Sequence, residues 1–287
     1  MVQDQLANKE RYSKAPELAL WATENEGDGR AYSDPFEPKS RFPSVTTVLK
    51  LVEKSALVGW AARKVAEKAI ERWMDMGRDP EQIMKWLPFA HNDYRDDRGW
   101  VGSGLHAAID ADCKGEWFVH ELNDEQKAMF AQWEHAKAAL MIRVRLSEFT
   151  VRIGDTMGTA DLLIDISEDF GDTWETLIVD SKSSRSIWPE HKMQLGILSK
   201  ATHYFEKVPE GTPGAALHKY ADPETKKQVK TYWLKKPMPH FDGAAILHIR
   251  EDSWELIRVN NLDLHAKRFS IYRQDWDLKK ELKELGD

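Results

Sequence analysis

The stretch LIVDSKSSRS, residues 177–186, places two opposite charges directly after an apolar run. The apolar residues 177–179 are typical of a buried strand, and strand side chains alternate between two faces with a period of two. Asp180 and Lys182 are therefore predicted to point to one side of the sheet, and Ser181 to the other. An acid and a base thus share one surface at the end of a core strand.

Two segments before this stretch also have strand character. LSEFTVRI (146–153) and GTADLLIDI (158–166) are joined by the turn-rich GDTMG, and SEDFGDT leads on to the strand at 174–182. A hairpin that is symmetric about Phe170 places Asp161 opposite residue 179 or 180, across the ladder from Asp180. We therefore expect two carboxylates and Lys182 to converge on one patch.

The remaining segments predict an α+β (mixed α/β) fold with a central, mainly antiparallel sheet flanked by helices. Apolar residues recur at helical spacing over 44–76, with a break near Lys54, and over 80–87, 99–115, 123–142, 189–207 and 261–286. Further strands are predicted within 229–236 and 243–259. Residues 1–40 are polar and rich in turn residues, which indicates an irregular N-terminal arm. Residues 41–287 then form one domain whose N-terminal part is helical.

Composition excludes several classes of site. The chain has 287 residues and a single cysteine, Cys113, so it cannot hold an internal disulfide, a four-cysteine zinc site or a cysteine-bound iron–sulfur cluster. No apolar run is long enough for a signal peptide or a membrane helix, and we expect a soluble, cytoplasmic protein. The net charge of −7 argues against a general nucleic-acid coat protein, but it allows a local basic groove. The lysines around Tyr232 either line such a groove or lie on an ordinary solvated surface.

Two acids that meet across a hairpin repel each other unless a cation lies between them or one is protonated. Carboxylate oxygens suit Mg²⁺ or Mn²⁺, and an added imidazole favours tolerance of Mn²⁺. A nearby lysine can orient or deprotonate water, or stabilise charge on a phosphoryl oxygen. A site for one or two such ions beside Lys182 therefore predicts that the protein hydrolyses a phosphodiester.

The order of the motifs carries a resemblance to a known family. FPSVTTVL, then GSGLH with His106, then GTAD, VDSKSS and Gln194 follow one another along residues 42–205. In this respect the chain resembles the PD-(D/E)XK nuclease superfamily, specifically its RecB-like exonuclease branch, and is similar to phage exonucleases and the mitochondrial genome maintenance exonuclease. The resemblance implies a restriction-endonuclease-like core.

The resemblance also implies roles for individual residues. The side-chain metal ligands would be His106, Asp161 and Asp180, the carbonyl of Ser181 would be a backbone ligand, and Lys182 would be the catalytic lysine. Gln194 matches the catalytic-site glutamine of the family's Q-x-x-x-Y motif, whereas Leu198 stands at the tyrosine position, which puts one strand-binding contact in doubt. Glu148 is either an outer or second-metal ligand, or a solubilising acid on an edge strand. With Cys113 alone, the chain resembles the members without an iron–sulfur cluster.

A second set of residues is placed to contact DNA. Ser183, Ser184 and Arg185 directly follow the lysine and can hold a phosphate, and Trp188 can stack on an unpaired base. Ser44 and Thr46 resemble a substrate-contacting segment of the family, although helix capping explains Ser44 equally well.

Together these features predict a metal-dependent DNA exonuclease that acts on single-stranded or frayed ends in phage or bacterial recombination or repair. The alternatives are a structure-specific endonuclease on the same core and a protein that binds DNA ends without cleaving them. The similarity to phage exonucleases implies activity in the cytoplasm of a bacterial host, with a single-strand annealing or recombination protein as a candidate partner.

Overall fold

A computed structural model describes residues 17–21, 29–53, 55–72, 80–118, 120–221 and 227–286. The strands are β1 (Ala19–Trp21), β2 (Arg30–Asp34), β3 (Glu37–Pro43), β4 (Arg143–Ile153), β5 (Thr156–Ile166), β6 (Glu175–Lys182), β7 (His203–Val208), β8 (Ala216–Ala221), β9 (Gln228–Pro237), β10 (Gly243–Ile249) and β11 (Trp254–Arg258). The α-helices are α1 (Val45–Val48), α2 (Ser55–Glu71), α3 (Pro80–Trp86), α4 (Ala90–Lys114), α5 (Asp124–Ala139), α6 (Pro189–Leu198) and α7 (Leu262–Leu285). Short 3₁₀ turns follow α1 and α3.

The predicted α+β class is confirmed. Within the described residues, eight strands form one sheet in the order β11-β10-β6-β5-β4-β7-β9-β8. The pairing of β10 with β6 is parallel, and the other neighbours in this sheet are antiparallel. The sheet is therefore mixed but mainly antiparallel, and β6 lies in its interior.

Helices cover both faces of this sheet. On one face, α1, α6 and α7 pack with β4, β5 and β6 around Met193 and Phe269. On the other face, α4 and α5 pack with β5, β6 and β10 around Leu105 and Trp133. Asn123 caps α5 by accepting from the Gln126 amide (2.8 Å), and the Gln126 side chain accepts from the Asn123 amide (2.9 Å), as a capping box does. Among the described residues, no helix is both long and apolar enough to cross a bilayer.

The N-terminal part differs from the prediction. Residues 1–16 and 22–28 lie outside the described residues, but β1, β2 and β3 form a three-stranded antiparallel sheet, so the irregular conformation expected up to residue 40 is wrong there. Tyr32 and Phe42 anchor this small sheet in a core with Met157. The turn residues that follow Asp34 form the connection between β2 and β3. The Asp34 carboxylate stabilises this turn by accepting a hydrogen bond from the Phe36 amide (2.8 Å).

Two predicted helices have different limits. The helix expected over 189–207 ends at Leu198, and residues 203–208 form β7 between β4 and β9, with Phe205 buried. Helix α4 begins at Ala90, nine residues before its expected start, and ends at Gly115 in the left-handed conformation (φ +66°). The break expected near Lys54 falls on a residue outside the described part. Strand β8 was not predicted.

Candidate metal centre

The end of β6 distributes its side chains between the two faces of the sheet. The face that holds Ile178 packs with α6, and the opposite face packs with α4. Gln194 of α6 donates from Nε2 to Asp180 Oδ1 (3.1 Å), whereas Ser181 Oγ lies 3.3 Å from His106 Nε2 of α4. These contacts agree with the predicted alternation, in which Asp180 and Ser181 point to opposite sides.

The neighbouring strands β4 and β5 are irregular at Glu148 and Asp161. Their pairing passes from Ser147–Leu162 to Phe149–Ala160 and omits the two acids between them. Glu148 has a φ of +45°, a left-handed conformation that is uncommon for a residue other than glycine and costs about 1–3 kcal/mol. The acids therefore face each other at a local interruption of the ladder.

The same interruption redirects Asp161. Ala160 and Leu163 pack in the same core although they are three residues apart, so the alternation of β5 slips by one residue between them. The ladder between β5 and β6 ends at Leu162–Val179, which is the predicted register that places Asp161 level with Asp180. Asp161 consequently points to the α4 side of the sheet.

Three potential ligands meet on that side. His106, Glu148 and Asp161 each offer an atom within 4.8 Å of the others. His106 Nδ1 lies 3.4 Å from Glu148 Oε1 and 3.6 Å from Asp161 Oδ2. Asp161 Oδ2 also accepts from the amide (2.8 Å) and hydroxyl (3.2 Å) of Ser181. A helix and three strands thus contribute to one group.

The electrostatics of this group favour a bound positive charge. Burial lowers the pKa of His106, but Asp161 and Glu148 outweigh burial and raise it to about 9. Burial also raises the pKa of Glu148, against the hydrogen bond from His106. Since a proton on His106 lies between two carboxylates, a divalent cation can replace it there. Two carboxylates and an imidazole are the donors that Mn²⁺ and Mg²⁺ accept, so the residues fit such an ion.

Asp180 and Lys182 form a second unit beside this group. Lys182 Nζ lies 2.5 Å from Asp180 Oδ2 and donates to the carbonyl oxygen of Ser181 (3.3 Å). Burial raises the pKa of Asp180 to about 6, although Lys182 opposes this shift. Burial lowers the pKa of Lys182, but Asp180 and Asp161 raise it above its usual range. Lys182 is therefore an ammonium at neutral pH.

The ligand set differs from the one that the resemblance implied. Asp180 is not in the group of mutually close ligands, and Glu148 takes its place. The Ser181 carbonyl, expected to be a ligand, accepts a hydrogen bond from Lys182. The exchange of Asp180 for Glu148 follows from the slip in β5, because Asp161 accompanies Ser181 on the α4 side while Asp180 remains on the α6 side.

Gln194 and Leu198, which stands at the family's tyrosine position, lie in different environments. Gln194 holds Asp180, as described above, and so contacts the site through its partner. Leu198, at the family's tyrosine position, is buried in the core and lies 3.3 Å from where a side chain on Gly158 would begin. Leu198 therefore fills core space, and it offers no polar group to a substrate.

The segment after β6 carries the residues predicted to contact DNA. Ser183 packs against α4 at Gly102, where an added Cβ would lie 3.2 Å from the Ser183 hydroxyl. The Ser184 carbonyl accepts from His248 Nε2 (2.7 Å), and Arg185 is exposed. Trp188, just before α6, is 42% exposed, so its ring is open to solvent. The segment is fixed at both ends and presents its cation and aromatic ring outward.

Ser44 and Thr46 belong to a polar cluster that also contains Arg30 and Tyr32, two residues that the sequence did not indicate. The Ser44 hydroxyl caps α1 by accepting from the Thr46 amide (3.2 Å), so the capping explanation is correct for Ser44. Arg30 donates from a terminal guanidinium nitrogen to the Thr46 hydroxyl (3.1 Å), and its Nε is buried without a described partner. Tyr32 shares a hydrogen bond (2.9 Å) with Thr159, two residues before Asp161.

Arg30 and Tyr32 were missed because their segment was taken for an irregular arm. Tyr32, a residue type that is enriched in strands, followed by the proline-containing turn after Asp34, was the available signal for a strand. Burial raises the pKa of Tyr32, and the charge of Glu148 adds to this shift. The hydrogen bond from Tyr32 to Thr159 connects the cluster to the strand that carries Asp161.

Comparison with known proteins gave no matching family model and no matching curated protein.

Proposed function

We propose that this chain is a divalent-metal-dependent deoxyribonuclease that removes nucleotides from single-stranded or frayed DNA ends, in phage or bacterial recombination or repair. The observation that carries the proposal is the position of the Asp180–Lys182 ion pair beside His106, Glu148 and Asp161. A cation site next to a fixed ammonium suits a reaction in which negative charge grows on a phosphate.

The proposed roles follow from the contacts. His106, Glu148 and Asp161 would hold the cation, with Asp180 close enough to influence it electrostatically. A bound Mg²⁺ or Mn²⁺ supplies positive charge against the scissile phosphate. Lys182 retains its proton, so it acts as a hydrogen-bond donor to a phosphoryl oxygen and not as a base. Gln194 keeps the Asp180 carboxylate in place for Lys182.

The surrounding cations and aromatic ring would position the strand. Arg30 beside Thr46, and the exposed Arg185 in the segment after β6, would bind phosphates of the strand. Trp188 is exposed enough to stack on a base, which favours a single strand over an intact duplex. This local distribution accounts for DNA binding by a chain whose net charge is −7.

The decisive experiment is a digestion time course with Mg²⁺ or Mn²⁺, with and without a chelator. Linear single strands labelled at the 5′ or the 3′ end and an unlabelled circular single strand are the substrates. We expect metal-dependent nucleotide release from linear strands, intact circles, and loss of activity in Asp161→Ala and Lys182→Ala. Lys219→Ala, an exposed lysine on β8, is the matched control and should retain full activity.

Each other outcome contradicts part of the proposal. Cleavage of the circle would identify an endonuclease. Binding to DNA ends without cleavage in either metal would identify a non-cleaving DNA-end-binding protein. Full activity of Lys182→Ala, with its fold intact by circular dichroism, would exclude this site as the catalytic centre.

A further inference from the structure

His248 of β10 lies beside the Asp180–Lys182 ion pair, although no sequence motif marks it. The parallel pairing of β10 with β6 ends at the pair of His248 with Lys182. Leu247 and Ile249, the neighbours of His248 on β10, are buried in the core on the α4 side. Since strand side chains alternate, His248 points to the α6 side, where the ion pair lies.

The side chain of His248 holds the segment that follows β6. Pairing of β6 with β10 stops at Lys182, and two residues further on the Ser184 carbonyl accepts a hydrogen bond from His248 Nε2 (2.7 Å). A carbonyl only accepts, so Nε2 carries the proton of this bond. The Ser184 hydroxyl donates within the segment, to the Ser186 carbonyl (2.8 Å). Among the described residues, the His248 bond is thus the one hydrogen bond that joins residues 184–186 to a distant part of the chain.

The held segment carries an unpaired cation. Arg185 directly follows Ser184, it is exposed, and it forms no ion pair with another described residue. If the loop were mobile, its backbone and the arginine would lose conformational freedom on binding a phosphate, which lowers affinity. A loop that is ordered before binding avoids much of this loss. The bond from His248 therefore prepares Arg185 to bind an anion.

We propose that His248 is a positioning residue, which holds the backbone of residues 184–186 so that Arg185 binds a phosphate of the DNA strand. This inference rests on the proposed function, since it takes that strand as the ligand. His248 acts through the Ser184 carbonyl and not through the cation or the scissile phosphate. Its loss should therefore weaken strand binding and leave the chemical step nearly unchanged.

Two substitutions of similar chemistry test the bond. The amide nitrogen of glutamine reaches the position of the imidazole Nε2, whereas the shorter asparagine amide does not. Fluorescence anisotropy of a labelled single strand in EDTA measures the dissociation constant without turnover. His248→Asn should raise this constant about tenfold, and His248→Gln should stay within about twofold of the wild type. His135→Asn, an exposed histidine on α5, is the matched control and should bind like the wild type.

Limited digestion with trypsin tests the hold on the segment without DNA. Cleavage after Arg185 requires the segment to open into the protease, so its rate reports how firmly the backbone is held. We expect cleavage about tenfold faster in His248→Asn than in the wild type, and a rate close to the wild type in His248→Gln. Urea denaturation of both variants shows whether each is folded before it is assayed.

A double-mutant cycle tests whether His248 acts through Arg185. Arg185→Ala should itself raise the dissociation constant about tenfold, and adding His248→Asn should then change it by less than about twofold. Fully additive effects would overturn the proposal. Wild-type affinity or unchanged trypsin cleavage in His248→Asn, or equal weakening by His248→Gln and His248→Asn, also overturns it.

The same measurements separate this proposal from the nuclease proposal. A wild-type chain that binds no strand overturns both. A chain that binds the strand but does not cleave it in Mg²⁺ or Mn²⁺ contradicts the nuclease proposal alone. If the chain is active, His248→Asn should raise KM about tenfold while kcat stays within about twofold, and an equal loss in kcat would contradict a positioning role.

Discussion

Gln194 donates a 3.1 Å hydrogen bond to Asp180, a carboxylate that is 1% exposed and also contacts Lys182. The helix after the site-bearing strand thus holds the acid that contacts Lys182. Gln194 is therefore a positioning residue of the proposed site.

Gln194→Ala leaves Asp180 Oδ1 buried without its donor, which costs about 1–3 kcal/mol of unfolding free energy. It should also lower kcat about 10–100-fold, with a smaller change in KM, because Lys182 loses its fixed partner. Urea unfolding and steady-state nuclease assays measure the two effects. Gln274→Ala, an exposed glutamine on α7, is the control, and equal effects in both variants would contradict a role for Gln194.

Cation binding should release a proton from His106. Since the pKa of His106 is raised to about 9, the metal-free protein holds this proton at pH 7.5, and the ion must displace it. Affinity for Mn²⁺ should therefore rise with pH up to about 9. Calorimetric titrations of Mn²⁺ at pH 7.5 in Tris and in HEPES, whose ionisation enthalpies differ, measure the released proton. Identical heats in both buffers would contradict the prediction.

The same pKa has a consequence for stability without metal. A folded-state pKa of about 9 above the usual 6.5 means that protonated His106 stabilises the fold fully below pH 6.5, and that this contribution is lost as pH rises through about 9. His106→Gln should weaken this decline in thermal unfolding scans between pH 6.5 and 9. The variant should also release less proton on binding Mn²⁺, which links the two measurements.

Arg30 should strengthen DNA binding without taking part in catalysis. Arg30→Ala removes a guanidinium beside Thr46, and we expect KM to rise about tenfold while kcat stays within about twofold. The salt dependence of single-strand binding should fall by about 0.7 in the log–log slope, as for one lost phosphate contact. Arg63→Ala, an exposed arginine on α2, is the matched control. An unchanged slope in Arg30→Ala would place the strand elsewhere.

Gly196 should be intolerant of a side chain. An added Cβ would lie 2.4 Å from His265 Cβ and 2.9 Å from the Ala266 amide nitrogen, where α6 crosses α7. Gly196→Ala should therefore lower the unfolding free energy by about 1–3 kcal/mol. Gly99→Ala in α4 meets no atom within 4 Å and should instead stabilise by about 0.5–1 kcal/mol. Urea denaturation distinguishes the two signs.

Local patterns predicted the strands around the site well. The apolar run before Asp180 and the turn residues around Phe170 fixed both the strand and its register, which the Leu162–Val179 pair confirms. Period-two alternation also predicted the opposite directions of Asp180 and Ser181. These features depend on neighbouring residues and could be inferred from the chain itself.

Other features depend on contacts between distant segments. The slip at Asp161 is coupled to the left-handed Glu148 on another strand, and no local signal marks either residue. This is why Asp180 was expected among the ligands and Glu148 was given a lesser role. Arg30 likewise joins the site through a sheet that packs on β5, so its role requires the tertiary structure.

The parallel pairing of β10 with β6 determines when the site can assemble. Gly243 pairs with Leu177 and His248 with Lys182, so one whole edge of the site-bearing strand is completed by residues near the end of the chain. During translation, that edge stays open until β10 has emerged from the ribosome. In nascent chains that lack β10 the proposed nuclease site is therefore incomplete, and we expect the proposed activity to begin only after synthesis is almost finished.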